Sequence, residues 1–218
     1  MRLAACLFFS FAVAHADAPK SRLSTGEALH RLLAGNAAFV AGGASCARQT
    51  PSRRTDVAAA QHPIAVVVGC ADSRVSPEAL FGQGLGDLFV VRVAGNVIDD
   101  DIVGSVEYAV SHFGVPLVIV LGHSRCGAVE AALSPAPPPG HLVGLLGRIR
   151  QAVAGVRGHS GDALDNAIRA NVAASVQKLQ TAPPTLDSAI RRGRLRIVGA
   201  RYDLDSGAVE LLPDVVDP

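Results

Sequence analysis

Aromatic residues are scarce in this 218-residue sequence, which contains no tryptophan, two tyrosines and seven phenylalanines. An excess of charge of one sign is also missing, because 20 lysines and arginines stand against 19 aspartates and glutamates. Nucleic-acid-binding domains usually carry a basic patch, and single-strand binders interleave it with aromatic rings. These shortages therefore argue against a nucleic-acid partner and are compatible with a small or neutral substrate.

Long apolar runs are absent as well, and the apolar stretch at residues 3–14 is too short to span a membrane. Arg2 precedes this stretch, and Ala14-His15-Ala16 follows the small-x-small rule of a cleavage site. We interpret residues 1–16 as a signal peptide and residues 17–218 as a single mature domain. The protein is then expected to be exported, periplasmic or secreted. A cytosolic protein with an apolar N-terminal helix is the alternative.

Cysteine is sparse, with four residues in the chain. Cys6 lies in the predicted signal peptide, which leaves Cys46, Cys70 and Cys126. An odd number argues against a framework of disulfides. A metal site that uses Cys70 and Cys126 competes with a disulfide between them, and both readings leave Cys46 as a free thiol.

Apolar residues make up 49% of the chain, enough for the core of one α/β domain. Two runs rich in β-branched residues, 64–68 and 116–121, are typical of buried parallel strands, which are predicted at about 63–69 and 117–122. Two more strands are predicted at about 88–93 and 195–200, and a turn at Asp205-Ser206-Gly207 predicts an antiparallel edge strand over 208–212. Helices are predicted at about 24–42, 77–81, 99–114, 126–133, 142–149, 162–180 and 186–192, with a loop or short helix within 44–60. The predicted fold class is α/β: a mostly parallel central sheet of four parallel strands plus an antiparallel edge strand, flanked by helices.

Residues with metal-binding side chains follow two of these strands. Cys70 and Asp72 come after the first apolar run, and His123 and Cys126 come at the end of the second. Parallel strands end at the same edge of a sheet, so these side chains are expected to meet there. Two thiolates, an imidazole and a carboxylate form a tetrahedral zinc site. The alternative is two buried core cysteines and an unrelated histidine at a strand end.

The sequence resembles the β-class carbonic anhydrases in an ordered and highly specific set of motifs. Weaker similarity extends from about Ser24 to the C-terminus. The motifs are Cys70-Ala71-Asp72-Ser73-Arg74, Gly86-Asp87-Leu88-Phe89-Val90-Val91-Arg92, Ala94-Gly95-Asn96, Gly104-Ser105-Val106-Glu107-Tyr108-Ala109, Gly122-His123 and Cys126-Gly127-Ala128-Val129.

The resemblance implies reversible hydration of CO2 to bicarbonate and a proton, with one Zn2+ per chain and attack of a zinc-bound hydroxide on CO2. It also implies a catalytic dyad of Asp72 and Arg74. Asp72 would either be the fourth zinc ligand or pair with Arg74 and accept a hydrogen bond from the hydroxide. The planar guanidinium of Arg74 suits such a bidentate carboxylate partner.

Further substrate-binding residues are implied by the resemblance alone. Gln61 would donate a hydrogen bond to the substrate oxygen from the neighbouring subunit, Phe89 and Tyr108 would wall the pocket, and Gly127 would make a backbone contact near the zinc. From the sequence itself, Gln61 is a polar residue before a strand, and core packing accounts equally well for Phe89. The resemblance further implies a homodimer or homotetramer.

One subgroup of the resembled family is inhibited by bicarbonate at a second site and carries a tryptophan three residues before the first cysteine ligand. This chain has Val67 at that position. Because valine offers no hydrogen-bond donor to a buried anion, we expect no cooperative bicarbonate inhibition through such a site.

Two other functions remain open from the sequence. The same zinc site could hydrolyse a sulfur analogue of CO2, namely carbonyl sulfide or carbon disulfide. Alternatively, the protein could be a non-enzymatic binder of small anions with a structural zinc, although the spacing of Asp72 and Arg74 counts against this. A nucleotide-binding site is not expected, because no glycine-rich phosphate motif follows the first strand.

Overall fold

The structure is a computed structural model that describes residues 23–43, 48–156 and 158–213. The predicted signal peptide and Cys46 lie outside these residues. The strands of the described chain form one sheet in the order β2-β1-β3-β4-β5. They are β1 (Ala65–Gly69), β2 (Leu88–Arg92), β3 (Leu117–His123), β4 (Arg196–Tyr202) and β5 (Val209–Leu211).

The sheet is parallel except at one side. β1 pairs with β2 and with β3, and β3 pairs with β4, all in parallel, whereas β5 runs antiparallel to β4. Every residue of β1 and of β3 is buried, as expected for apolar strands covered on both faces. The predicted fold class, four parallel strands plus an antiparallel edge strand, is confirmed.

Helices flank the sheet, and polar side chains cap several of them. The described helices are α1 (Thr25–Val40), α2 (Pro51–Asp56), α3 (Pro77–Leu80), α4 (Asp100–Phe113), α5 (Gly127–Leu133), α6 (Leu142–Ala152), α7 (Ala163–Gln180) and α8 (Thr185–Arg191). Ser24 and Glu27 form a capping box at α1, and Asp99 accepts a hydrogen bond from the Ile102 amide at α4. Within the described residues, no helix has the length and apolar character needed to cross a membrane.

The core lies on both faces of the sheet because side chains along a strand alternate between the faces. Val66 and Val68 of β1 pack with residues of α4, α7 and α8, whereas Val67 packs with residues of α1 and α3. A third apolar cluster, which includes Cys70 and Cys126, lies with residues of α5, α6 and α7. Cys70 and Cys126 therefore lie against packed helices.

Two edges of the sheet matter for function. We call the edge at which β1 to β4 end the carboxyl edge, and the edge at which they begin the amino edge. Each parallel strand returns to the amino edge through a crossover on one face of the sheet, so residues that follow β1 and β3 collect at the carboxyl edge.

Candidate metal centre

Three metal-binding side chains meet at the carboxyl edge. Cys70 directly follows β1, His123 is the last residue of β3, and Cys126 is the N-cap residue of α5. One ligand atom from each lies within 4.8 Å of the other two, and all three residues are buried. Cys70 and Cys126 are free cysteines. The fold therefore brings together three of the four predicted zinc ligands as a cluster.

The imidazole of His123 is oriented for metal binding. Its Nδ1 lies 2.9 Å from the carbonyl oxygen of Ser124, which accepts only, so Nδ1 carries the proton and Nε2 keeps a lone pair. Nε2 is fully buried and has no hydrogen-bond partner. Such an unsatisfied buried atom costs roughly 1–3 kcal/mol, which coordination to a cation would offset. A histidine with one nitrogen on a carbonyl and the other free matches the usual arrangement of a zinc ligand.

The two thiols affect each other's ionisation. A hydrogen bond from the Cys126 thiol lowers the pKa of Cys70 to about 4, against the opposing effect of burial. The same hydrogen bond, together with burial, raises the pKa of Cys126. Backbone amides of Gly95 and Asp72 also point at Cys70 Sγ, at 3.2 and 3.4 Å. A divalent cation would stabilise both sulfurs as thiolates, so this donor set fits zinc.

Asp72 is held by Arg74 beside this cluster. Arg74 donates from Nε to Asp72 Oδ1 at 2.9 Å and from Nη2 to Oδ2 at 2.7 Å, and its backbone amide donates to Oδ1 at 2.9 Å. Hydrogen bonds from the Arg74 side chain hold the pKa of Asp72 well below its usual range, although burial opposes them. Of the two predicted arrangements, the structure shows the pair with Arg74. Asp72 Oδ2 lies 3.8 Å from His123 Nε2.

A second arginine supports the loop that carries Cys70 and Asp72. Arg92, at the end of β2, donates from Nε to the Cys70 carbonyl at 2.9 Å and from Nη2 to the Asp72 carbonyl at 2.7 Å. Arg92 belongs to the motif that ends β2, but no role for it follows from the sequence. Its position at a strand end next to β1 is the feature that could have suggested one.

The four predicted substrate-binding residues lie at two different places. Gly127 is the first residue of α5, next to Cys126 at the carboxyl edge. Gln61 is exposed and precedes β1 at the amino edge, so the five residues of that strand, about 16 Å, separate it from Cys70. Within one chain, the structure therefore does not bring Gln61 to the metal centre.

Phe89 and Tyr108 form an aromatic cluster away from the metal centre. Phe89 is paired with Val66 near the start of β2, and its ring centroid lies 6.2 Å from that of Tyr108 on α4. Tyr108 stacks on His112 with centroids 4.6 Å apart and is 49% exposed. We call Phe89, Tyr108, His112 and Phe113 the aromatic cluster. It packs the sheet on one side and presents the Tyr108 ring to solvent on the other.

Comparison with known proteins gives a consistent result. The family model described as carbonic anhydrase matches residues 65–209. A carbonic anhydrase of Mycolicibacterium smegmatis is 43% identical over 181 residues, 81% of this chain and 88% of that protein. Among solved structures, the β-carbonic anhydrase CafA of Aspergillus fumigatus aligns with a TM-score of 0.70 and 31% identity, covering 87% of this chain and 92% of that one. One of two tetrameric β-carbonic anhydrases from Sordaria macrospora aligns with a TM-score of 0.69 and 27% identity, covering 84% and 96%.

Proposed function

Since the chain belongs to the β-class carbonic anhydrase family, we propose that it catalyses the reversible hydration of CO2 to bicarbonate and a proton with one zinc ion per chain. The observation that carries this proposal is the buried triad of Cys70, His123 and Cys126, with the unpartnered Nε2 of His123. An unpartnered buried nitrogen beside two thiols is costly in a purely structural core and expected at a metal site.

Zinc bound by two thiolates and one imidazole would supply a Lewis acid that makes water nucleophilic near neutral pH. The two thiolates neutralise most of the ion's charge, so this acid is weaker than one held by three histidines. The surrounding protein groups must then contribute to the activation and orientation of water.

Asp72 and Arg74 are the groups placed to do this. Arg74 fixes both carboxylate oxygens of Asp72 and keeps the carboxylate ionised. Asp72 Oδ2 can accept a hydrogen bond from the attacking water. This bond would direct a lone pair of the water oxygen toward the carbon of CO2. A new carbon–oxygen bond forms, the proton of the water passes to buffer, and bicarbonate leaves.

A second copy of the chain completes the substrate site in this proposal. Gln61 and the aromatic cluster lie at the amino edge, where Gln61 and Tyr108 face solvent. They reach a metal centre only if the amino edge of one subunit faces the carboxyl edge of its partner. The tetrameric assembly of the Sordaria macrospora relatives supports a homodimer or homotetramer here.

The decisive experiment measures metal content and CO2 hydration in one purified sample. Cys70→Ser, His123→Ala and Cys126→Ser are expected to lose zinc and activity together, because each removes one ligand of the buried triad. Cys46→Ser is the matched control and should retain one zinc per chain and full activity. Unchanged zinc in all three ligand variants would overturn the metal site, and full zinc without hydration activity would favour a structural metal.

Assays with carbonyl sulfide and carbon disulfide test the alternative substrates.

Export of the protein is a separate proposal. The charged and apolar pattern of residues 1–16 supports cleavage after Ala16. Intact-mass measurement of the protein from the periplasm or medium should give a chain that begins at Asp17. A full-length chain recovered from the cytosol would contradict it.

A further inference from the structure

A short turn between β2 and α4 contacts the sulfur of Cys70. The backbone amide of Gly95, in the 3-10 turn Ala94–Asn96, donates to Cys70 Sγ at 3.2 Å in a buried environment. Gly95 has a φ of +69°, and a Cβ there would lie 2.7 Å from Ile149 Cδ1. The left-handed backbone favours glycine at this position, and a Cβ would also crowd the Ile149 side chain. The amide is thus aimed at the sulfur by a turn with little freedom to move.

Two polar side chains of α7 hold this turn. Asn171 Nδ2 donates to the Gly95 carbonyl at 2.7 Å, and Ser175 Oγ donates to the Asn96 carbonyl at 3.2 Å. Asn171 and Ser175 are one helical turn apart and are 2% and 5% exposed. They lie on a helix face that otherwise buries apolar residues, namely Ala167, Ile168, Val172, Val176 and Leu179.

These hydrogen bonds have a structural role, because the buried carbonyls of Gly95 and Asn96 would otherwise lack partners. The two side chains also supply direction, because they fix the two peptide groups that directly follow the Gly95 amide. A chain of bonds therefore runs from α7 through the turn to a proposed metal ligand.

We propose that Asn171 and Ser175 are positioning residues that hold the Gly95 amide on Cys70 Sγ and so control how strongly this thiolate donates electrons to the metal. The inference rests on the metal site of the proposed function. An N–H···S hydrogen bond draws electron density from the sulfur, which weakens its donation and leaves the metal a stronger Lewis acid. No local sequence pattern shows this role, because the residues lie on a helix far along the chain from Cys70.

The test compares two buried asparagines with the same chemistry. Asn171→Leu removes the bond to the turn, and Ser175→Ala is a milder second variant. The matched control is Asn36→Leu, because Asn36 of α1 is also buried and donates to two backbone carbonyls, of Leu80 and Gly207, away from the metal centre. Each protein is loaded with zinc to measure its release to a chelator, and with cobalt to record the sulfur-to-metal charge-transfer band. Thermal unfolding is measured in parallel.

Asn171→Leu is expected to release zinc to the chelator roughly tenfold faster, because a thiolate without the hydrogen bond is more basic and is more easily protonated off the metal. Its cobalt band should shift to longer wavelength, because a thiolate without the hydrogen bond gives up electrons more easily. Ser175→Ala should shift both readouts in the same direction by less. Asn36→Leu should lower the melting temperature but leave the release rate and the band at their wild-type values.

The inference is overturned if the α7 variants keep the wild-type band and release rate, or if Asn36→Leu changes them equally. If Asn171→Leu does not fold, the outcome for Ser175→Ala decides. A wild-type protein that binds neither zinc nor cobalt would overturn the proposed function itself, and the inference with it. That result is distinguishable, since it appears before any variant is compared.

Discussion

At the carboxyl edge of the sheet the proposed metal ligands are buried and fixed by bonds within their own chain, whereas at the amino edge Gln61 and Tyr108 face solvent. Cys70 Sγ has two amides aimed at it, and His123 Nδ1 has a carbonyl partner. The comparison indicates that one chain suffices to bring the candidate metal ligands together, whereas the proposed substrate-contacting surface would act on a second chain.

Beneath its exposed residues, the amino edge is nevertheless held by a network of hydrogen bonds around Asp87. The buried carboxylate of Asp87 accepts hydrogen bonds from Arg48, Arg53 and the Gly84 amide. The backbone carbonyl of Asp87 also accepts from the Ile64 amide, at 2.9 Å, close to Gln61. A surface held in this way can present Gln61 and the aromatic cluster in a defined geometry.

The largest effect short of metal loss is expected at the dyad. Asp72→Asn and Arg74→Ala should retain zinc but lose activity by roughly 100-fold or more, the scale of a positioned proton-accepting group. The control is Asp205→Asn, which breaks a similar bidentate pair with Arg125 beside Cys126 but at an exposed site. That variant should keep most of its activity. Wild-type hydration rates in Asp72→Asn would remove the dyad from the mechanism.

A subunit-mixing experiment tests the division between the two edges directly. Gln61→Ala should lower activity by roughly tenfold, the loss expected for a hydrogen bond to a reacting oxygen. A mixed oligomer of Gln61→Ala chains and Cys70→Ser chains should recover activity, because an intact metal centre then faces an intact Gln61.

The recovery requires that Gln61 acts across the interface. If Gln61 served its own chain, each subunit of the mixture would carry one defect and activity would stay low. Native mass spectrometry of the mixture, with each variant alone as control, identifies mixed oligomers by their intermediate mass.

The Asp87 cluster is expected to affect stability more than chemistry. Burial acts to raise the pKa of Asp87, but hydrogen bonds from Arg48 and the Gly84 amide and the arginine charges outweigh it, so the pKa lies below its usual value. A carboxylate with a lowered pKa stabilises the fold above about pH 4, and this contribution is lost as the pH falls further. Asp87→Asn should therefore cost roughly 2 kcal/mol at pH 7 and less near pH 3. Urea unfolding at both pH values measures the difference, and an equal cost at both would contradict it.

The smallest effect is expected from added bicarbonate. Val67 is fully buried among apolar side chains of the sheet. Arg92 already donates to the carbonyls of Cys70 and Asp72. A buried anion beside Val67 would gain no hydrogen bond from that side chain. Initial rates titrated with bicarbonate at a pH above 8 should show simple inhibition with a Hill coefficient of about one. A Hill coefficient well above one would show cooperative inhibition by bicarbonate and would contradict this expectation.

Much of the fold was predictable because its determinants are local. Apolar runs located β1 and β3, and capping residues located the starts of α1 and α4. Two observed boundaries differ from the predicted ones. β1 begins at Ala65 instead of near residue 63, because Pro63 lacks the amide that strand pairing needs. β4 extends through Tyr202, beyond its apolar run. The strand order along the sheet is a product of packing and was not predicted.

The sequence by itself determined the element types and placed the candidate metal donors Cys70, His123 and Cys126 at strand ends, because strand-forming runs and the residues that follow them are neighbours along the chain. Only the tertiary structure decided which groups form hydrogen bonds with those donor residues and with the loops that carry them. The pairing of Asp72 with Arg74, the support of its loop by Arg92 and the link from Asn171 through Gly95 to Cys70 depend on how β2 and α7 pack against β1 and β3. Such contacts join segments far apart in sequence, and they are set by the fit of whole elements, for which no short pattern of residues exists.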